Sequence, residues 1–137
     1  MNVLFVCVQN AGRSQMAEAL FRLAASGSHE ARSAGSNPAA SVHPEVIEVM
    51  RELGVDLTGR TPRRLELADA EWADIVVTMG CGDACPVIPG KRYLDWELED
   101  PDSKGLAETR ALRDEIAARI EQLLSELEEK ETSSGRS

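Results

Sequence analysis

The first two dozen residues constrain this chain more than any other stretch. Val3-Leu4-Phe5-Val6 is apolar at every position, with no polar alternation, and reads as a strand buried on both faces. Cys7-Val8-Gln9-Asn10-Ala11-Gly12 follows as a polar, glycine-ended loop. From Arg13 to Leu23 the residues Met16, Ala17, Leu20, Phe21 and Leu23 mark the apolar side of a helix. A strand that is apolar throughout needs a layer on each face, so the opening already asks for a parallel sheet sandwiched by helices.

The rest of the chain repeats that alternation. His29 to Ser33 reads as a second strand closed by Ala34-Gly35, and Ser36-Asn37-Pro38-Ala39-Ala40 as a loop. Pro44 suits the first turn of a helix running to about Leu53, with Val46, Ile47, Met50 and Leu53 inward and Gly54 as its stop. Thr61 to Asp69 includes a short helix. Asp74 to Thr78, through Ile75-Val76-Val77, is a third buried strand, and Lys91 to Trp96 a fourth. From about Leu106, the positions Leu112, Ile116, Ile120, Leu123, Leu124 and Leu127 repeat at the helical period. The expected architecture is therefore α/β: a single domain, residues 1–131, with a four-stranded parallel sheet flanked by helices on both faces. Residues 132–137 are expected to form a disordered polar tail.

Composition excludes several classes. With 137 residues, 42% hydrophobic and 28% charged, the chain can bury a core without metal or disulfide staples and is not disordered as a whole. Val3 to Val8 is its longest apolar run, far short of a membrane span, and no basic segment precedes it as in a secretory leader. A cytoplasmic location with no membrane partner is the expectation. The net charge is −9, and residues 95–131 carry 13 acidic against 5 basic side chains, which argues against nucleic acid as a partner. The small cluster Arg60, Arg63 and Arg64 reads as a solvated loop. Three cysteines do not make a secreted disulfide framework.

In a parallel sheet, ligands sit beyond the carboxyl ends of the strands. Three loops there carry reactive side chains. In the first, five residues separate Cys7 from Arg13 at the start of a helix. Such a loop can curl so that the backbone N–H groups of Val8, Gln9, Asn10, Ala11 and Gly12 surround one anion, with the helix N-terminus adding positive potential. Gly12 is expected to supply the backbone freedom this requires. Arg13 can fork onto two oxygens of a tetrahedral oxyanion, and Ser14 can donate to the Cys7 sulfur. The same field favours thiolate over thiol, giving a nucleophile beneath a bound oxyanion. The nucleotide-binding motif Gly-x4-Gly-Lys-Ser/Thr is absent.

The second loop holds Cys81 and Cys85, separated by Gly82-Asp83-Ala84. On a helical turn the two would share a face with Cβ atoms roughly 5–6 Å apart, while a disulfide wants about 3.8 Å; Gly80 and Gly82 ease the adjustment. Thiol–disulfide exchange could then pass oxidation from Cys7 to Cys81 to Cys85. A zinc site would need two more ligands, and His29 and His43 have no suitable spacing to the pair. The third loop carries Asp100, before Pro101 and amid Glu97, Glu99 and Asp102.

Cys7-Val8-Gln9-Asn10-Ala11-Gly12-Arg13-Ser14-Gln15-Met16-Ala17-Glu18-Ala19 resembles the arsenate reductases of low-molecular-weight tyrosine phosphatase fold. The likeness continues through Ser33-Ala34-Gly35, Asp74 to Met79, and Asp95-Trp96-Glu97-Leu98-Glu99-Asp100-Pro101. It implies reduction of arsenate to arsenite, as in arsenical resistance. Cys7, Arg13 and Asp100 would act on arsenate, phosphate or sulfate would compete, Cys81 and Cys85 would form the redox-active disulfide, and thioredoxin, or a low-molecular-weight thiol in its place, would reduce it. Asp100 would be the general acid, and Trp96 a packing residue near the site. No cofactor is implied, and the chain is expected to act as a monomer. Some relatives hold potassium beside the loop, and Asn10, Glu18 and Ser33 match three of its positions. Arg63 stands where an acid is expected, so the expected metal content is none. A phosphatase of the same fold would use Cys7, Arg13 and Asp100 but neither Cys81 nor Cys85. It would also want aromatic walls that a chain with five aromatic residues scarcely provides.

Overall fold

The computed structural model describes residues 1–79, 91–98 and 105–135, with side chains to residue 128. Among the described residues, eight elements follow in chain order: β1 (Asn2–Cys7), α1 (Arg13–Ala25), β2 (Glu30–Gly35), α2 (Pro44–Arg51), α3 (Leu67–Trp72), β3 (Ile75–Thr78), β4 (Arg92–Asp95) and α4 (Leu106–Gly135). The strands form one parallel sheet in the order β2-β1-β3-β4. The single domain with a four-stranded parallel sheet and helices on both faces is as the sequence implied. Because every strand runs the same way, Cys7, Gly35, Thr78 and Asp95 all end on one edge.

Successive residues of a strand point to opposite faces, and β1 shows why it had to be apolar throughout. Val3, Phe5 and Cys7 enter the larger core with α1, α2 and α4, where Ile116, Ile120 and Leu127 are fully buried. Leu4 and Val6 enter a smaller core on the other face with Ala73, Val76 and Trp72. Phe5 anchors the larger side: its ring meets Phe21 edge-on at 5.7 Å and Trp96 at 5.9 Å.

Two leucines assigned inward face out. Leu23 is 57% exposed, because a residue two positions from Phe21 lies most of half a turn round the helix. Leu53 is 42% exposed, because α2 ends at Arg51 and the chain reverses at Gly54, whose φ is +79°. β2 starts one residue later and ends two residues later than expected. α4 continues to Gly135, into the segment read as a tail; Glu128-Glu129-Lys130-Glu131 are strong helix formers, and extending a helix costs little once it exists. No helix among the described residues is long and apolar enough to cross a membrane.

Candidate active site

Cys7 is the last residue of β1 and is buried. Asn10, Arg13 and Ser14 are buried around it. The loop between β1 and α1 turns at Asn10, which adopts φ +51°. Asparagine tolerates this left-handed conformation better than most residues with a side chain; Gly12 has φ −141° and ψ −90°, outside the helical and extended regions.

Asn10 is also the hub of the side-chain network. Its Oδ1 accepts from the Arg63 backbone N–H (2.9 Å) and from Gln15 Nε2 (3.1 Å), which fixes its Nδ2 as the donor to Ser14 Oγ (2.7 Å). The Ser14 oxygen has thereby accepted a hydrogen bond, leaving its own proton for Cys7 Sγ at 2.9 Å.

The backbone of the loop is held from outside. Cys7 O accepts from Ser36 N (3.2 Å), Val8 O from Asn37 N (2.8 Å), Gln9 O from Ala39 N (2.9 Å) and Ala11 O from His43 N (3.0 Å). The C=O and N–H of a trans peptide point in opposite directions. Drawing these four carbonyls toward residues 36–43 therefore turns the amides of Val8, Gln9, Asn10 and Gly12 the other way. Among the described residues, the N–H groups of Gln9 to Gly12 donate to no backbone carbonyl. Orphan amides at the N-terminus of α1 make a concavity suited to an oxyanion. Arg13 Nη1 reaches Leu98 O at 3.5 Å, which ties the clamp to the chain leaving β4.

The arginine cluster is not simply solvated. Arg60 donates to Glu18, which is 3% exposed and also accepts from Ser33 Oγ (2.7 Å). Arg63 donates to Asp69 (2.6 Å) and to Ser33 O (2.8 Å). Guanidinium groups beside buried carboxylates satisfy charges that would otherwise be costly. Glu18 and Asn10, two of the positions matching the potassium site of relatives, are engaged by protein donors, so the residues here do not fit a bound cation. Trp96 packs in the core beside the site, 8% exposed. Cys81, Cys85 and Asp100 lie outside the described residues.

Over residues 2–133 the chain matches the family described as low molecular weight phosphotyrosine protein phosphatase. A glutaredoxin arsenate reductase of Synechocystis is 35% identical over 128 residues, 91% of this chain and 97% of that protein. The chain belongs to the arsenate reductases of this phosphatase fold. A further member, a Halobacterium salinarum protein provisionally named an arsenate reductase, is 43% identical over 127 residues, 89% of each chain. The thioredoxin-dependent arsenate reductase of Corynebacterium glutamicum superposes with a TM-score of 0.80 at 44% identity. The match takes in 94% of this chain and 62% of that one. The strap of residues 36–43 and the Arg60–Glu18 pair escape a motif reading, because neither is contiguous with the Cys7–Arg13 segment. The one advance signal is the pair of glycine and proline punctuation marks, Gly35 and Pro38, which fix where the strap can turn.

Proposed function

We propose that this enzyme reduces arsenate to arsenite through a relay of three thiols and returns to its starting state at the expense of thioredoxin. The observation carrying the reading is the loop itself: a sulfur with a hydroxyl donor at 2.9 Å beneath amides turned inward by four outward carbonyl bonds. Arsenate binds to those amides from Val8 to Gly12 and to the Arg13 guanidinium. Phosphate or sulfate competes for the same donors. The Cys7 thiolate attacks arsenic, an As–S bond forms, and the departing oxygen leaves as water with a proton from Asp100.

Cys81 then attacks the Cys7 sulfur. A disulfide forms, the As–S bond breaks, and its electron pair stays on arsenic, which departs as arsenite, reduced by two electrons. Cys85 attacks Cys81, freeing Cys7 and leaving a Cys81–Cys85 disulfide. A dithiol reductant takes that disulfide back to two thiols. Connectivity supports these roles. Met79 N donates to Val6 O at 2.7 Å, beside Cys7 and two residues before Cys81 in sequence. Leu98, whose carbonyl faces Arg13, is two residues before Asp100.

The thioredoxin dependence of the Corynebacterium relative favours thioredoxin, while the Synechocystis relative makes glutaredoxin the competitor to test. The deciding assay measures arsenite formed from arsenate by the purified protein with NADPH, thioredoxin reductase and thioredoxin, against glutathione with glutaredoxin. Turnover with the first set and none after Cys7→Ser is expected. Hydrolysis of an aryl phosphate with no arsenite formed would overturn the reading in favour of the phosphatase chemistry for which the family is described.

A further inference from the structure

We propose that Gly35 is a positioning residue for oxyanion capture, acting through the loop it touches rather than through the substrate; this rests on the oxyanion-binding reading of the Cys7–Arg13 loop. Gly35 ends β2 and is not in the left-handed region, since the positive-φ glycines among the described residues are Gly27 and Gly54. Backbone freedom is therefore not what the position requires. Space is. A Cβ built on Gly35 would stand 2.6 Å from Val8 O, 2.9 Å from Asn10 N and 3.0 Å from Asn10 Cβ. All three atoms belong to the anion loop, and two are backbone.

A second set of contacts makes the close approach matter. Gly35 is fixed from its outer side, its N–H donating to Arg63 O (2.9 Å) and its carbonyl accepting from Leu65 N (2.9 Å). It cannot retreat from an added methyl without breaking both, so the loop must give instead. The strap that follows it carries the donors to Cys7, Val8, Gln9 and Ala11 carbonyls. Displacing Val8 O by a few tenths of an ångström pulls it off Asn37 N and turns the Gln9 amide, which shares that peptide. Gly35 thus sets how closely the strap grips the loop, and through that grip the convergence of the amides. Misplacing groups that must converge on one anion by about 1 Å costs on the order of a hundredfold.

The test measures phosphate protection of Cys7 against iodoacetamide, which gives an oxyanion Kd without turnover, beside arsenate KM and thermal melting. Gly35→Ala is expected to raise phosphate Kd and arsenate KM by about tenfold to a hundredfold. Gly59→Ala is the control, because a Cβ there meets nothing within 4 Å; its Kd should equal the parent's. Ala39→Pro removes one strap donor and sets its ring Cδ against Gln9 O, loosening the same grip from the strap side, and should raise Kd by at least the roughly two- to tenfold worth of one hydrogen bond. That variant decides the matter if Gly35→Ala does not fold. A Gly35→Ala protein that melts lower but binds phosphate like the parent would overturn the proposal, as would a folded Ala39→Pro with parental Kd. A parent whose Cys7 no oxyanion protects would overturn the binding reading itself, a result separate from either variant.

Discussion

Arg13 is buried at the first position of α1, where a positive side chain opposes the helix dipole. On the proposed reading, the anion that Arg13 meets there offsets that cost. Arg13→Lys keeps the charge but loses the planar fork; kcat/KM for arsenate should fall by about a hundredfold, measured by steady-state arsenite formation. Near-parental activity would remove Arg13 as the clamp. Asn10 tests the loop differently. Asn10→Ala forfeits three hydrogen bonds and forces a Cβ residue with no polar compensation into φ +51°. The loss should be about 2–4 kcal/mol in urea unfolding. Asn10→Gly also loses the bonds but tolerates the backbone, and should be about 1 kcal/mol more stable than the alanine variant. Equal losses in the two would mean that the left-handed turn carries no cost for asparagine to offset. In both, Cys7 alkylation should slow, because Ser14 is no longer held against the sulfur. At this scale the sequence was informative about chemistry and poor about geometry. Cys7, Arg13 and Ser14 are contiguous enough to be read together, whereas the left-handed turn at Asn10 was not legible, because which residue of a loop turns left depends on hydrogen bonds to Arg63, 53 positions away.

The helices show which elements are legible and why. α4 was readable because Leu112, Ile116, Ile120, Leu123 and Leu127 keep the helical rhythm over four turns and face a single core. The ends of α1 and α2 were not, because Leu23 and Leu53 are apolar for reasons other than burial. β2 was closed too early because Ala34-Gly35 looks like a turn, when the glycine is needed for close approach by another segment. α2 and α4 are joined by Glu52, which accepts from Arg110 (2.6 and 2.9 Å) and from Arg113 (2.8 Å). The hydrogen bonds from Arg110, and next those from Arg113, hold its carboxyl at about 2, below its ordinary 4.5. A carboxylate depressed in the folded state contributes stability above its unfolded value and loses it as pH falls toward the folded one. Glu52→Gln should therefore melt below the parent at pH 7, and the gap should close as pH falls from about 4.5 to about 2. Melting curves across that range check it; a gap independent of pH would mean that Glu52 acts through packing rather than charge.

At the scale of the whole molecule, a parallel sheet ends β1 and β3 on one edge, so the chain leaves β3 on the side where Cys7 ends β1. Removing Cys85 probes that arrangement most sharply, since it leaves the loop, Cys7, Asp100 and Cys81 intact. Cys85→Ser should carry out one reduction and stop. The first exchange forms a Cys7–Cys81 disulfide and releases arsenite, but nothing remains within the chain to free Cys7. One arsenite per enzyme should appear in a rapid phase, followed by almost no turnover with thioredoxin, and peptide mass mapping should find Cys7 linked to Cys81. A phosphatase would not register the change, because water, not a second thiol, hydrolyses a phosphorylated cysteine. Sustained arsenate turnover in Cys85→Ser would exclude Cys85 from the relay and point to an external thiol attacking the adduct directly. Aryl phosphate hydrolysis in parent and variant alike, with no arsenite from either, would instead assign the loop geometry to phosphate ester cleavage.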